Sequence, residues 1–368
     1  MIASVHAGSP RRVSRARVAS FASIVFCGLL PAVTVVTLFA STIQDDSVAF
    51  DFRPLYHGAE DILAGESPYP LEDALLTATG GPYVYPPLPA LLSVPLTPLS
   101  VDVAGLVVMT TLLLVALAIL FVLGVRDWRC YGVMLLWPPV ISAIQTGNVT
   151  LWLALACALA WRFRDRLLVS SASVGVTLAV KFFLWPLLVW FVATRRMANA
   201  VVAVAVGAGL LLASWAVIGF DGLRGYPELL RRLESGVGDD AYTVTNLAHD
   251  LGAPWGLART LWLALGVALL AACIVLARRG DERSAFILAL AAGLALTPLV
   301  WLHYFALLVV AVAIVRPTLG VIWFVPLAMV IATGGGDPTP FQTTVTLATC
   351  GLTIGLALRE SRRLLSYE

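Results

Sequence analysis

Apolar residues in this chain come in blocks, and the longest blocks are too long for a water-soluble core. Val103 to Val125, Ala198 to Phe220 and Pro254 to Ala277 each read as apolar runs, and about 20 such residues in a helix cross a bilayer. Across 368 residues, 60% of side chains are hydrophobic and 12% are charged, against roughly a quarter charged in an ordinary soluble domain. A soluble enzyme, a coiled coil and a disordered tail are excluded. The formal charge of +2 gives no basic face for nucleic acid, and no nucleic-acid partner is expected. Five cysteines lie in or beside apolar blocks without a short-spaced pair, which predicts small buried hydrophobes rather than a disulfide or metal framework.

The first block, Ala19 to Ala40, follows Arg11, Arg12, Arg15 and Arg17. A positive flank before a spanning block predicts an uncleaved anchor with a cytoplasmic N-terminus, not a signal peptide or a twin-arginine export signal. Further spans are expected over Val103 to Val125, Tyr131 to Ile144, Val149 to Trp161, Leu167 to Val180, Phe182 to Ala193, Ala198 to Phe220 and Pro254 to Ala277. Ser284 to Val300, Tyr304 to Val315, Leu319 to Thr333 and Phe341 to Leu358 complete the set. Several are too short to cross alone and read as half-deep helices or hairpins, with tips at Gln145 to Asn148 and near Lys181 in a protein-lined cavity.

Charge agrees with this threading. Fourteen arginines from Arg126 to Arg363 join the four N-terminal ones on the inner side, 18 of 24 basic residues, while 16 of 22 acidic residues fall outside. The chain is read as one integral membrane domain over residues 1–368, a multi-pass protein of the cell membrane with both termini cytoplasmic. Two outer loops, 41–82 and 221–253, are too small to fold alone and are expected to cap the membrane part. No internal repeat is visible, which argues against an inverted-repeat transporter.

The first outer loop predicts a short helix. Pro54 suits a first turn, Leu55, Ala59, Ile62 and Leu63 form a stripe, and Gly65 stops it. Asp51 lies just before this helix and reads locally as its cap. Between Tyr83 and Leu96, prolines at 86, 87, 89 and 95 predict a kinked interfacial segment with aromatic anchoring. Lys181 interrupts an apolar stretch and needs an anion or the outer surface. His303 reads either as a site residue or as a turn histidine, His249 either as a site residue or as part of a polar loop, and His57 is open in direction. Asn148-Val149-Thr150 fits a glycosylation acceptor, but its tip sits too near the membrane for modification.

Taken in order, Asp51-Phe52, Tyr56, Gly65, Pro68-Tyr69, Tyr85-Pro86-Pro87-Leu88, Pro95-Leu96, Gln145 with Asn148, Lys181 with Pro186, and His303-Tyr304 form a pattern running along nearly the whole chain. This pattern resembles the polyprenyl-phosphate-sugar-dependent glycosyltransferases of family 87, the type that includes the mycobacterial mannosyltransferases of phosphatidylinositol mannoside synthesis. The resemblance implies an all-α, polytopic GT-C fold with about 11–13 membrane segments, several short or re-entrant, and an active site on the outer face. It implies an inverting hexosyltransferase moving mannose from a polyprenyl-phosphate donor to a hydroxyl of a glycolipid or envelope glycan, among membrane lipids. Asp51 is then the catalytic base, and Lys181, Arg53 and His303 bind the donor phosphate. Tyr56, Tyr85, Gln145, Asn148 and His249 position substrate, with Gln145 and Asn148 equally able to cap a broken helix. No cofactor and no metal ligand are expected, since a monophosphate leaving group needs no diphosphate-bridging cation and no histidine pair has metal-binding spacing. An arabinofuranosyltransferase using the same lipid phosphate is the nearest alternative, and a transporter or lipid flippase the alternative of a different class.

Overall fold

Hydrocarbon offers no partner to a backbone N–H or C=O, so an apolar chain must satisfy its own polar groups, and a helix does this locally. The computed structural model describes residues 20–45, 47–69, 83–237, 241–333 and 337–365, and among them every regular element is helical. The protein is an all-α, polytopic membrane protein. The four N-terminal arginines and residues 70–82 of the first predicted outer loop lie outside the described residues.

Among the described residues, five helices are long and apolar enough to cross a bilayer: Ser20–Gln44, Val101–Val122, Met197–Val217, Trp255–Arg278 and Pro340–Leu365. Their neighbours are short, as the block lengths predict. Leu167–Val180 has the expected bounds. The stretch expected as one span over residues 131–144 is instead two helices, Trp128–Leu135 and Pro138–Thr146. Pro138 and Pro139 lack the N–H needed to continue the first helix but suit the start of the second. At that break the buried Trp137 indole donates to the carbonyl of Trp323 at 2.8 Å. Residues 319–333 fold as two 3₁₀ segments, Val321–Trp323 and Val325–Ala332, and the last helix continues past residue 358 to Leu365.

Glu282–Ala295 is buried on every face from Ser284 to Leu294, the signature of a central helix. Beside it, Leu302–Leu307 and Leu308–Val315 are almost wholly buried. Leu167–Val180 and Met197–Val217 cross so closely that a Cβ on Gly175 would lie 2.8 Å from the Ala203 carbonyl oxygen. All five cysteines are free and buried.

The loops that the charge pattern assigns to one side meet in space. Arg196 pairs with Glu282 and with Asp165 at 2.9 Å, and Arg164 reaches Glu282 at 3.4 Å, which ties three loops together. At this arginine-rich end Asp127 caps the Trp128–Leu135 helix. Its carboxylate accepts from Arg129 Nε at 2.9 Å, Arg129 Nη2 at 2.8 Å and the Leu319 N–H at 2.9 Å. The Arg129 hydrogen bonds are the main reason that this carboxyl is held down to about 2. A depressed folded value means the contribution to stability is complete above the unfolded carboxylate value, near 3.9, and disappears as pH falls through about 2. Asp127→Asn should therefore lower the thermal midpoint in detergent at pH 7. The difference from the parent should shrink steadily below about pH 4, and a difference that does not change between pH 7 and pH 3 would refute the linkage.

Candidate functional site

The site forms where two apolar helices stop short. Pro138–Thr146 and Thr150–Arg162 bend by 119° about the intervening residues, and Gly147 makes the turn with φ of +72°. A side chain at Gly147 would collide with Ala49 Cβ at 2.8 Å and Phe52 Cβ at 2.9 Å. The bare glycine thus lets the Phe50–Phe52 turn rest on the broken helix. Ala49, fully buried, adopts a left-handed φ of 48° to enter that turn.

This docking brings Asp51 to Asn148. Asn148 is 3% exposed; its Nδ2 donates to Asp51 Oδ2 at 2.9 Å. Asn148 Oδ1 accepts from the Thr150 N–H at 3.0 Å and from Thr150 Oγ1 at 2.7 Å, capping the second half-helix. Those two donors fix the amide's orientation, because a flipped amide would set its oxygen against the carboxylate. Asn148 therefore caps the broken helix, one of the two roles expected of it, and also holds Asp51. Asp51, by contrast, is not the cap of the following helix: Arg53–Ala64 starts without a side-chain cap hydrogen bond.

His303 closes the other side. Its Nδ1 stands 3.8 Å from Asp51 Oδ2, too far for a hydrogen bond, and its buried Nε2 has no partner among the described residues. A buried ring nitrogen without a partner is costly and marks a place where a bound molecule can supply one. Lys181, in extended conformation between Leu167–Val180 and Phe182–Leu184, places its ammonium over two aromatic faces, 4.2 Å from the Tyr304 ring centre and 5.1 Å from that of Tyr85. Its charge lies within reach of Asp51, and the Tyr85 hydroxyl neighbours Asn148. Asp51, Asn148, His303, Lys181 and Tyr85 thus gather from segments far apart in the chain.

Other expected site residues lie elsewhere. Arg53 donates to Asp102 at 3.2 Å and to the Val48 carbonyl at 3.4 Å, anchoring the Asp51 turn rather than reaching toward Lys181. Tyr56 is buried and its hydroxyl donates to the Leu99 carbonyl at 2.7 Å, tying its helix to the segment before Val101–Val122. His249 is exposed, stacks on Trp255 at 3.9 Å and contacts the Ala253 carbonyl; it is not brought to Asp51. Gln145 is half-buried on the last turn before Gly147. His57 is exposed and pairs with Glu60 at 3.0 Å. Sequence reasoning did not assign Tyr304 a role beneath Lys181; its position next to His303 was the available signal.

Beside the polar cluster opens an apolar cavity of about 840 Å³, lined by Phe52 and Leu55, by Trp152 and Ala156 of the second half-helix, and by Val176 and Val180 next to Lys181. The polar side chains of the cluster do not line it; their chain neighbours Phe52, Val149 and Val180 do. The sequence profile of glycosyltransferase family 87 matches residues 83–302, more than half of the chain. The chain is a member of glycosyltransferase family 87. The GT-C fold follows from that membership, and so does glycosyl transfer between a sugar donor and an acceptor as its general activity. The match includes Tyr85, Gln145, Asn148 and Lys181, begins after Asp51 and ends one residue before His303. Neither a curated protein nor a solved structure matches the chain.

Gly147→Ala tests how this family 87 site is assembled. The new methyl meets two Cβ atoms below 3 Å at a φ that disfavours alanine, so the protein should lose about 1–3 kcal/mol of stability. Glycosyl transfer per folded molecule should fall as well, because the Asp51 turn must move. Full transfer per folded molecule would show that the turn need not rest on Gly147.

Proposed function

We propose that this family 87 enzyme transfers mannose from a polyprenyl-phosphate donor to a hydroxyl of a glycolipid or envelope glycan, with inversion, on the outer face of the cell membrane. The observation that carries this reading is Asp51. Its carboxylate is hydrogen-bonded by Asn148, serves no helix cap, and acts electrostatically on Lys181, while the adjoining Phe52 and Val180 line an apolar cavity. The acceptor hydroxyl gives its proton to Asp51 while its oxygen forms the bond to the anomeric carbon. The bond from that carbon to the phosphate oxygen breaks on the opposite side, and polyprenyl phosphate leaves with the electron pair. Lys181 and His303 Nε2 compensate the charge gathering on that phosphate, while Arg53 pairs with Asp102. The apolar cavity suits the hydrocarbon of a lipid-linked substrate. The resemblance to the mannosyltransferases of phosphatidylinositol mannoside synthesis supports mannose, and the charge pattern supports the outward orientation.

Three experiments test the reading. Asp51→Asn should leave folding and donor binding intact while lowering turnover about 10²–10⁴-fold, and wild-type turnover at saturating donor would remove Asp51 as the base. Lys181→Met should lower kcat more than it raises KM, and Lys181→Arg should fall between, since a planar guanidinium restores charge without the geometry. A panel of labelled donors in defined liposomes decides the substrate: polyprenyl-phosphate mannose should be consumed. Arabinose transfer would instead select the arabinofuranosyl reaction, and efficient use of GDP-mannose without lipid-linked donor would overturn the assignment.

A further inference from the structure

Tyr85 carries one of the two rings under Lys181, yet the backbone that presents it cannot be knitted by ordinary hydrogen bonds. Pro86 and Pro87 follow it directly and lack N–H groups. Side chains take over. Three successive carbonyls in this turn each accept a tyrosine hydroxyl: Val84 from Tyr226 at 2.9 Å, Tyr85 from Tyr69 at 2.9 Å, and Pro86 from Tyr83. Tyr69 follows the Arg53–Ala64 helix, whereas Tyr226 opens Tyr226–Val237, so two separate connecting segments grip the same turn. Both rings rest on Trp215 near the end of Met197–Val217: Tyr69 stacks on it at 5.1 Å and 18°, and Tyr226 meets it edge-on at 5.7 Å. Tyr69 and Tyr226 also touch edge to face at 5.4 Å.

We infer that Tyr69 and Tyr226 are positioning residues, which act through Tyr85 to hold the Lys181 ammonium where the reaction needs it. Their hydroxyls fix the carbonyls on either side of the Tyr85 side chain, whose ring supports the ammonium from 5.1 Å and whose hydroxyl neighbours Asn148. Releasing either carbonyl frees the turn to shift, and cation–π attraction weakens once the cation leaves the ring face. The clamp therefore makes the site sensitive to both connecting segments through one turn.

Lys181 is the only lysine in the chain, so its reactivity can be followed without any substrate. The inference rests on the glycosyl-transfer reading only where turnover is measured. Tyr69→Phe and Tyr226→Phe keep the rings and remove one hydroxyl each. In the full-length protein in detergent, each should raise the rate at which a small N-hydroxysuccinimide ester acylates Lys181, read by peptide mass spectrometry, about fivefold, the order that one cation–π contact supports. Each should lower kcat with little change in KM, and combining either with Tyr85→Leu should add nothing to the labelling rate of Tyr85→Leu alone. Tyr242→Phe removes a comparable buried hydroxyl, bonded to the Ala332 carbonyl at 3.1 Å, and should leave Lys181 labelling unchanged. Wild-type labelling in both clamp variants, an equal rise in Tyr242→Phe, or additivity with Tyr85→Leu would overturn the inference. Raised labelling in a protein that uses none of the tested donors would sustain the clamp and refute the donor assignment alone.

Discussion

The hydrogen bond from Asn148 to Asp51 joins residues 97 apart in sequence, and much of the site end depends on it. A neutral amide donating to a carboxylate is worth about 1.5–3 kcal/mol in favourable surroundings. It forms only because the chain makes several local departures from regular helix. Ala49 enters a left-handed conformation, Gly147 does the same, and an otherwise continuous apolar helix is broken. Once made, the bond holds the carboxylate away from the helix that follows it, so Asp51 keeps an oxygen for other work. Asn148 also caps the second half-helix, which ties the carboxylate's position to the integrity of the break.

Breaking a helix inside an apolar environment exposes backbone groups and invites polar side chains, both costly in lipid. This protein confines the cost to protein-lined space. The broken pair turns at Gly147 beneath the Phe50–Phe52 turn, and the interruption at Lys181 lies against Tyr85 and Tyr304. An ammonium between two ring faces is partly solvated by aromatic quadrupoles while remaining open to an anion. Two short helices follow from the same constraint: Pro138–Thr146 stops just before Asn148 and Leu167–Val180 just before Lys181.

The two ends of the molecule are organised differently. At the arginine-rich end, ion pairs among Arg164, Arg196, Asp165 and Glu282 and the capping carboxylate of Asp127 hold short loops rigidly. At the site end, longer connections converge through tyrosine hydroxyls and stacked rings. Neutral hydroxyls satisfy the prolyl turn there without neutralising Lys181 or Asp51.

Block length and charge alone determine that the chain is helical, membrane-spanning and multi-pass, because hydrocarbon permits few ways to satisfy a backbone. They also locate the breaks near Gln145 to Asn148 and at Lys181, where apolar runs end too soon, and the motif order points to the family. Exact helix ends were less legible: the Pro138-Pro139 break and the 3₁₀ segments after residue 320 depend on packing such as Trp137 against Trp323. The site is legible as a set of residue types but not as a set of neighbours. Arg53, Tyr56 and His249 have the right chemistry and sit near the right segments, yet Asp102, the Leu99 carbonyl and Trp255 claim them. Tyr226 carries no sequence signal, since its role is a hydroxyl delivered to a carbonyl 142 residues away. Local propensity and transfer energy are properties of short stretches and can be read from them, whereas the partner of a polar atom depends on which distant segment packing brings within 3 Å.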